Sequence, residues 1–153
     1  MRTLLTAGLL LLATLAAAPA RAADADPPAT PVGRWKTIDD NTGKAKSIVL
    51  IWEEGGKLFG KVDQILDPPA DHPDPVCVKC EGDLKDQPVL GLRIMWDFRK
   101  DGERWSGGRI LDPDNGKTYR CNLSLADGGK KLDVRGFIGI ALIGRTQTWI
   151  REE

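Results

Sequence analysis

Hydrophobic and polar positions alternate in short stretches along most of the chain. In the clearest stretch, Tyr119, Cys121, Leu123 and Leu125 alternate with polar residues. A side-chain period of two is the pattern of a β-strand with one buried face, and no stretch of ten or more residues shows a helical period. The pattern therefore predicts an all-β domain.

Turn signals rich in glycine, aspartate, asparagine and proline separate these stretches. The predicted strands cover about residues 33–38, 47–53, 57–66, 92–99, 105–111, 118–125, 132–136 and 144–151. Short strands at regular spacing are typical of a sandwich or a barrel, and closing the sheet removes both exposed edges. We expect a single eight-stranded antiparallel up-and-down β-barrel with one long loop, residues 67–88, between strands 3 and 4.

The N-terminal residues show a different pattern, a continuous apolar run. Arg2 precedes the run, and Ala20-Arg21-Ala22, which has the form of a signal-peptidase site, follows it. The run of about 15 residues is shorter than the roughly 20 residues of a membrane-spanning helix. We predict a cleavable signal peptide over residues 1–22, a proline-rich disordered leader over residues 23–31 and a barrel domain over residues 32–153.

Export places the mature domain in the periplasm or the medium, and its charge is close to neutral there. The full chain has 22 Lys and Arg and 22 Asp and Glu, and loss of Arg2 and Arg21 with the signal leaves 20 against 22. A charge balance of this kind gives no reason to expect nucleic acid or an acidic membrane as the main partner. We also predict no integral membrane segment in the mature protein.

The sequence does not favour an enzyme. His72 is the one histidine and lies in the long loop, and no Gly-x-Ser-x-Gly nucleophile elbow is present. The aspartates cluster in turns, where hydrogen bonding to the backbone is enough to favour them. We therefore predict no catalytic residue and no cofactor.

The mature domain has three cysteines, Cys77 and Cys80 in the long loop and Cys121 on the sixth strand. Outside the cytoplasm they are candidates for a disulfide, and the spacing leaves the pairing open. A bridge to Cys121 would tie the loop to the barrel, whereas the apolar side of its strand suits Cys121 as a buried thiol. Two alternatives are a redox-active Cys-x-x-Cys pair and a zinc site formed by His72 with the three cysteines.

Several longer motifs resemble a family of exported bacterial proteins. They are PVGRW at 31–35, WSGGRILDP at 105–113, NGKTY at 115–119, VRGFIG at 134–139 and GRTQTW at 144–149. Proteins with similar motifs are grouped as domain of unknown function 2147. The resemblance implies a lipocalin-like β-barrel and no established activity.

The likeness to lipocalins also implies a set of barrel-closing residues. Lipocalins carry Gly-x-Trp on the first strand, with an arginine of the last strand over the indole ring. Gly33 and Trp35 match the first part, and either Arg145 or Arg151 matches the second. Stacking of this kind stabilises a barrel by about 0.5–2 kcal/mol.

Polar and aromatic positions on three strands suggest a binding site. The candidate ligand-binding residues are Trp105, Arg109, Tyr119, Arg145, Gln147 and Trp149. Alternation puts the last three on one side of the eighth strand, and puts Trp105 and Arg109 on one side of the fifth. Facing inward, they would set a few polar groups among aromatic rings, as small-molecule sites do. The alternative inner face of the last strand is Thr146, Thr148 and Ile150.

These features favour a barrel that binds a small apolar or amphipathic ligand, with the long loop over or beside one mouth. The alternative is an envelope structural or interaction protein with a filled barrel and no ligand. An eight-stranded barrel permits both, because its interior is either filled by side chains or holds one small ligand.

Overall fold

The computed structural model describes residues 29–140 and 143–152, and the predicted signal peptide over residues 1–22 and most of the leader over residues 23–31 lie outside them. The strands are β1 (Gly33–Ile38), β2 (Ala45–Glu54), β3 (Lys57–Ile65), β4 (Arg93–Asp101), β5 (Arg104–Asp112), β6 (Lys117–Ala126), β7 (Lys131–Phe137) and β8 (Gly144–Arg151). Each strand pairs antiparallel with the next, and β8 pairs with β1. The predicted all-β, up-and-down barrel with one long loop is confirmed. No described helix has the length and apolar character that a membrane crossing requires.

The topology gives the barrel two different ends. The β2–β3, β4–β5 and β6–β7 turns lie at one end with both ends of the described chain, and we call this the closed end. The β1–β2, β3–β4, β5–β6 and β7–β8 loops lie at the opposite end, the open end.

Large apolar side chains fill the centre of the barrel. Those with almost no exposed surface include Trp35, Val49, Ile51, Leu58, Met95, Phe98, Leu123 and Leu132. The packing depends on Gly108 of β5, because a Cβ atom there would lie 2.4 Å from the ring of Phe98. No such approach is possible for a residue with a side chain, so Gly108 lets the ring fill the interior.

Bulges in β4 and β5 change which side chains of these strands face inward. Asp97 of β4 has a φ of 64°. Met95, which precedes it, and Phe98, which follows it, are both buried although they are three positions apart. Trp96 and Phe98 therefore lie on opposite sides of β4, whereas strict alternation of side chains would place them on the same side. An extra residue in a strand reverses the side on which the following residues lie.

The second bulge lies in β5. Trp105 pairs with Leu123 and Gly108 pairs with Cys121, so three positions on β5 match two on β6. Trp105 consequently faces inward and Arg109 outward. The prediction that Trp105 and Arg109 share one side of the strand is wrong, because the bulge at Gly107 lies between them.

The β3–β4 loop, residues 66–92, covers part of the outer wall beside the open end. Ile94 and Leu111 lie on the outer side of their strands, opposite in phase to Met95 and Ile110, yet they are 5% and 2% exposed. The sulfur of Cys77 lies 3.6 Å from the carbonyl oxygen of Pro113, which places the loop against the end of β5. We infer that the loop covers the side chains of Ile94 and Leu111.

The cysteine pairing is local. Cys77 and Cys80 form a disulfide within the loop, which confirms the predicted disulfide, and Cys121 is a free thiol buried in the barrel. A bridge between the loop and Cys121 is therefore not formed. The alternative zinc site with His72 is also not assembled, since no cluster of three or more metal-ligating side chains occurs among the described residues.

Candidate binding site at the open end of the barrel

The closed end is sealed by an arginine over an indole ring. The guanidinium carbon of Arg151 lies 4.2 Å from the ring centroid of Trp35, and the Trp35 Nε1 donates to the carbonyl oxygen of Pro31 at 2.7 Å. Arg151 also donates to the carbonyl oxygens of Gly129, Val32 and Thr30 at 2.7, 3.0 and 2.7 Å. One side chain thus ties the N-terminal segment, the β6–β7 turn and β8 together.

Gly33 makes room for that arginine. Its φ is +133°, and a Cβ atom there would lie 2.9 Å from Nη1 of Arg151. Of the closing residues implied by the resemblance, the structure brings together Gly33, Trp35 and Arg151. Arg145 lies near the open end instead, six residues earlier on the same strand.

The inner face of β8 carries Arg145, Gln147 and Trp149. Trp149 pairs with Leu132 and Gln147 pairs with Val134, and both β7 partners are buried in the core. Cross-strand partners share one side of a sheet. The alternative face, with its threonines and Ile150, is exposed.

A series of polar contacts extends along this inner face to the open end of the barrel. The Trp149 Nε1 donates to Oε1 of Gln147 at 3.3 Å, and Nε2 of Gln147 donates to a carboxylate oxygen of Asp40 at 3.0 Å. Arg145 forms an ion pair with the same carboxylate. The series therefore runs from a buried indole to half-exposed charges at the open end.

Asp40 was not among the residues predicted from the sequence, which assigned the turn aspartates to backbone contacts. Asp39 fulfils that role, because its carboxylate accepts from the backbone N–H groups of Asn41 and Thr42, and these hydrogen bonds lower the pKa of Asp39. Its neighbour Asp40 is free to reach across to β8. The one sequence signal for this contact is that the turn contains two aspartates, although one is enough for its backbone hydrogen bonds.

An apolar surface lies beside the polar one, on the neighbouring strands β5, β6 and β7. A Cβ atom on Gly136 would meet the side chains of Tyr119 and Ile110 at 3.7 and 4.0 Å, so the three residues line the same part of the interior. All three are only partly buried. The Tyr119 hydroxyl accepts from Nδ2 of Asn115 in the β5–β6 turn at 2.9 Å. We define the mouth as the inner surface formed by Ile110, Tyr119, Gly136, Arg145 and Gln147 at the open end.

Two predicted site residues lie elsewhere. Trp105 is buried near the closed end, where the ammonium of Lys100 lies 5.4 Å from its ring centroid. Arg109 projects from the outer wall and lies 3.6 Å from the carboxylate of Asp97. Asp97 also accepts from Lys57 at 2.9 Å, and that hydrogen bond is the main reason why its pKa is lowered. Trp105 and Arg109 therefore make their side-chain contacts outside the mouth.

Comparison with known proteins gives a family and a fold. The family described as "Uncharacterized protein conserved in bacteria (DUF2147)" matches residues 33–151. The solved structure of protein HP1028 from Helicobacter pylori, described as belonging to the lipocalin family, is similar over 80% of this chain and 82% of that chain, with a TM-score of 0.68 and 21% identity. No curated protein matches the chain. At this identity the structural similarity concerns the fold alone.

Proposed function

The chain belongs to the DUF2147 family of bacterial proteins and has a lipocalin-like barrel, and from this premise we propose that it binds a small apolar or amphipathic ligand outside the cytoplasm. The observation that carries the proposal is the mouth, in which an apolar surface lies beside polar side chains of β8. Export rests on the apolar run and cleavage motif of residues 1–22.

The chemistry of the mouth suits a ligand with one apolar and one polar part. The apolar part would lie against Ile110 and Tyr119, over Gly136, where the missing side chain leaves room. The polar part would meet Gln147 and Arg145, which is 65% exposed. Because Trp149 and Cys121 are packed beneath, the ligand would be shallowly seated and short.

The filled centre of the barrel supports a second candidate function. Trp35, Met95 and Phe98 are completely buried there, and this is what an interaction protein with a solid barrel requires. Such a protein would bind no ligand in the mouth. The two functions therefore predict opposite results in a binding experiment.

The experiment measures the fluorescence of 1-anilinonaphthalene-8-sulfonate, an anionic aromatic amphiphile, and its displacement by dodecanoate. We expect saturable binding of both to the folded protein. Gly136→Leu fills the mouth and should abolish binding, and Arg145→Ala should weaken dodecanoate about tenfold, as expected for loss of one charge-assisted hydrogen bond.

Arg109→Ala is the matched control, because Arg109 is an exposed arginine on the outer wall that also pairs with an aspartate. It should leave both affinities unchanged. Equal effects of the two arginine substitutions, or no saturable binding by either probe, would favour the solid barrel. Far-ultraviolet circular dichroism of each variant verifies the fold.

A further inference from the structure

Exposed apolar side chains are concentrated at the open end. Eight large apolar side chains of the described residues are at least 36% exposed, and seven of them lie in two open-end loops. Leu66, Val76, Val78 and Leu90 belong to the β3–β4 loop, and Ile138, Ile140 and Ile143 to the β7–β8 loop. The two loops lie on opposite sides of the barrel, since β3 and β4 face β7 and β8 across the ring.

The three isoleucines are the most exposed of this set. Ile138, Ile140 and Ile143 are 69%, 60% and 70% exposed, and the sequence between Arg135 and Arg145 contains no charge. Exposure of three such side chains to this degree in one short loop is unfavourable by the hydrophobic effect. A surface of this kind normally meets an apolar partner.

The loop has a defined shape at its base. The Ile143 N–H donates to the carbonyl oxygen of Ile140 at 3.1 Å. A guanidinium nitrogen of Arg120 lies 3.4 Å from the carbonyl oxygen of Gly139, and its guanidinium carbon lies 5.6 Å from the ring centroid of Phe137. The described N-terminal part of the loop is therefore held against β6, with a cation at its base.

The chemistry of this loop fits a lipid surface better than a protein surface. The tip is aliphatic, whereas protein-binding sites rely on aromatic and arginine anchors seated in pockets. Arg120 and Arg145 flank the tip, and Arg145 stays 65% exposed in its ion pair with Asp40. An apolar tip with cations behind it matches a membrane, in which acyl chains lie beneath phosphate groups.

We propose that the β7–β8 loop docks the barrel on a phospholipid membrane, with Ile138, Ile140 and Ile143 inserted among the acyl chains and Arg120 and Arg145 at the phosphates. The open end then faces the bilayer. Membrane docking does not depend on the proposed ligand, because it uses side chains outside the mouth except for Arg145. Its driving force is apolar burial, so binding should persist at high salt.

The test is flotation of residues 23–153, which include all eight strands and the closing segment, with vesicles. One set of vesicles contains phosphatidylethanolamine and phosphatidylglycerol at three to one, and the other contains phosphatidylcholine alone. We expect the protein to float with both at 0.5 M salt. The triple variant Ile138→Ser, Ile140→Ser and Ile143→Ser should lower the partition coefficient at least tenfold without changing the melting temperature, since all three side chains are exposed.

The control is Leu66→Ser, Val78→Ser and Leu90→Ser, which removes an equal number of exposed apolar side chains from the β3–β4 loop. It should retain at least half of the partitioning. Equal flotation of wild type and the isoleucine variant would overturn the proposal. So would a dimer in gel filtration that the isoleucine variant dissociates while neither protein floats. Probe binding by 1-anilinonaphthalene-8-sulfonate is measured without vesicles, so failure of docking is distinct from failure of ligand binding.

Discussion

At the scale of single residues, Cys121 shows how tightly the barrel interior is packed. Its side chain is 1% exposed, and its cross-strand neighbours on both sides are glycines, Gly108 and Gly136. Burial raises the pKa of the thiol from 9.0 to about 12. A thiol that stays protonated is a poor nucleophile, so Cys121 acts as a small apolar core residue.

This pKa makes the stability of the fold depend on alkaline pH. In the unfolded chain Cys121 ionises near pH 9.0, whereas in the folded chain it binds its proton up to about pH 12. Above pH 9 the unfolded state binds fewer protons, so the free energy of unfolding falls as pH rises toward 12. We expect Cys121→Ala to be less stable than wild type at pH 8 and to lose less stability between pH 8 and 11.

Urea unfolding at several pH values measures both slopes, and all other titrating groups are common to the two proteins. Identical slopes would mean that the Cys121 thiol ionises with the same pKa in both states. Slow reaction of the native thiol with iodoacetamide, against fast reaction in urea, is a second readout.

At the scale of elements, the sequence pattern predicts strand facing correctly in β6. The β6–β7 pair has no register shift, and the apolar side of β6, which carries Cys121, faces inward as predicted. In β4 and β5 one extra residue reverses the facing, so Met95 faces inward and Arg109 outward. Alternation alone does not locate a bulge, because Asp97 continues the alternation of β4 in sequence and a glycine such as Gly107 suits a turn as well as a bulge.

The same limit applies to the mouth and the closed end. Arg145 and Arg151 both lie on the inner face of β8, and period two alone does not distinguish them. Their positions along the strand distinguish the two arginines, because Arg151 pairs with Trp35 in the register of β1 and β8. The contact of Asp40 with β8 joins residues more than 100 positions apart, and it follows from barrel closure.

The β3–β4 loop is held on the barrel by a close backbone contact at Gly116. A Cβ atom at Gly116 would lie 1.9 Å from the carbonyl oxygen of Lys79, and the φ of Gly116 is +72°. Gly116→Ala should therefore detach the loop from the β5–β6 turn, in addition to the cost of a positive φ. We expect a loss of about 1–3 kcal/mol beyond that cost, with exposure of the loop to trypsin at Lys79 and Lys85.

Gly43→Ala is the matched control, because Gly43 has a φ of +70° and a Cβ atom there would meet no other atom within 4 Å. It should lose only the roughly 1–2 kcal/mol that left-handed backbone costs a residue with a side chain. Urea unfolding gives the difference between the two variants, and limited proteolysis shows the loop. Equal losses, with no new cleavage, would show that the loop is not held at Gly116.

At the scale of the whole molecule, the two ends of the barrel differ in how they are built. Arg151 binds three carbonyl oxygens at the closed end, where Trp35 lies beneath it. At the open end the inner wall carries the exposed Arg145 and the partly buried Gln147, and two loops expose apolar side chains. The rigid closed end positions an open end that can meet a ligand or a membrane.

The weakest seam of the closed sheet is the pairing of β1 with β8. β1 and β8 share two residue pairs, whereas β7 and β8 share seven. The Arg151 side chain bridges this seam through its contacts with Val32, Thr30 and Trp35. We therefore expect Arg151→Ala to lower the free energy of unfolding by about 2–4 kcal/mol, the sum of a cation–π contact and charge-assisted hydrogen bonds offset by solvation.

The same substitution should also open the barrel locally before it unfolds. In native-state hydrogen exchange, amides of β1 and of the last half of β8 should exchange faster in Arg151→Ala, while those of β5 and β6 follow global unfolding. Arg145→Ala is the control, since it removes an arginine from the same strand and inner face at the other end. A uniform increase in amide exchange rates over all strands would mean that β1 and β8 separate only when the whole barrel unfolds. Arg151 would then contribute to global stability without holding these two strands together locally.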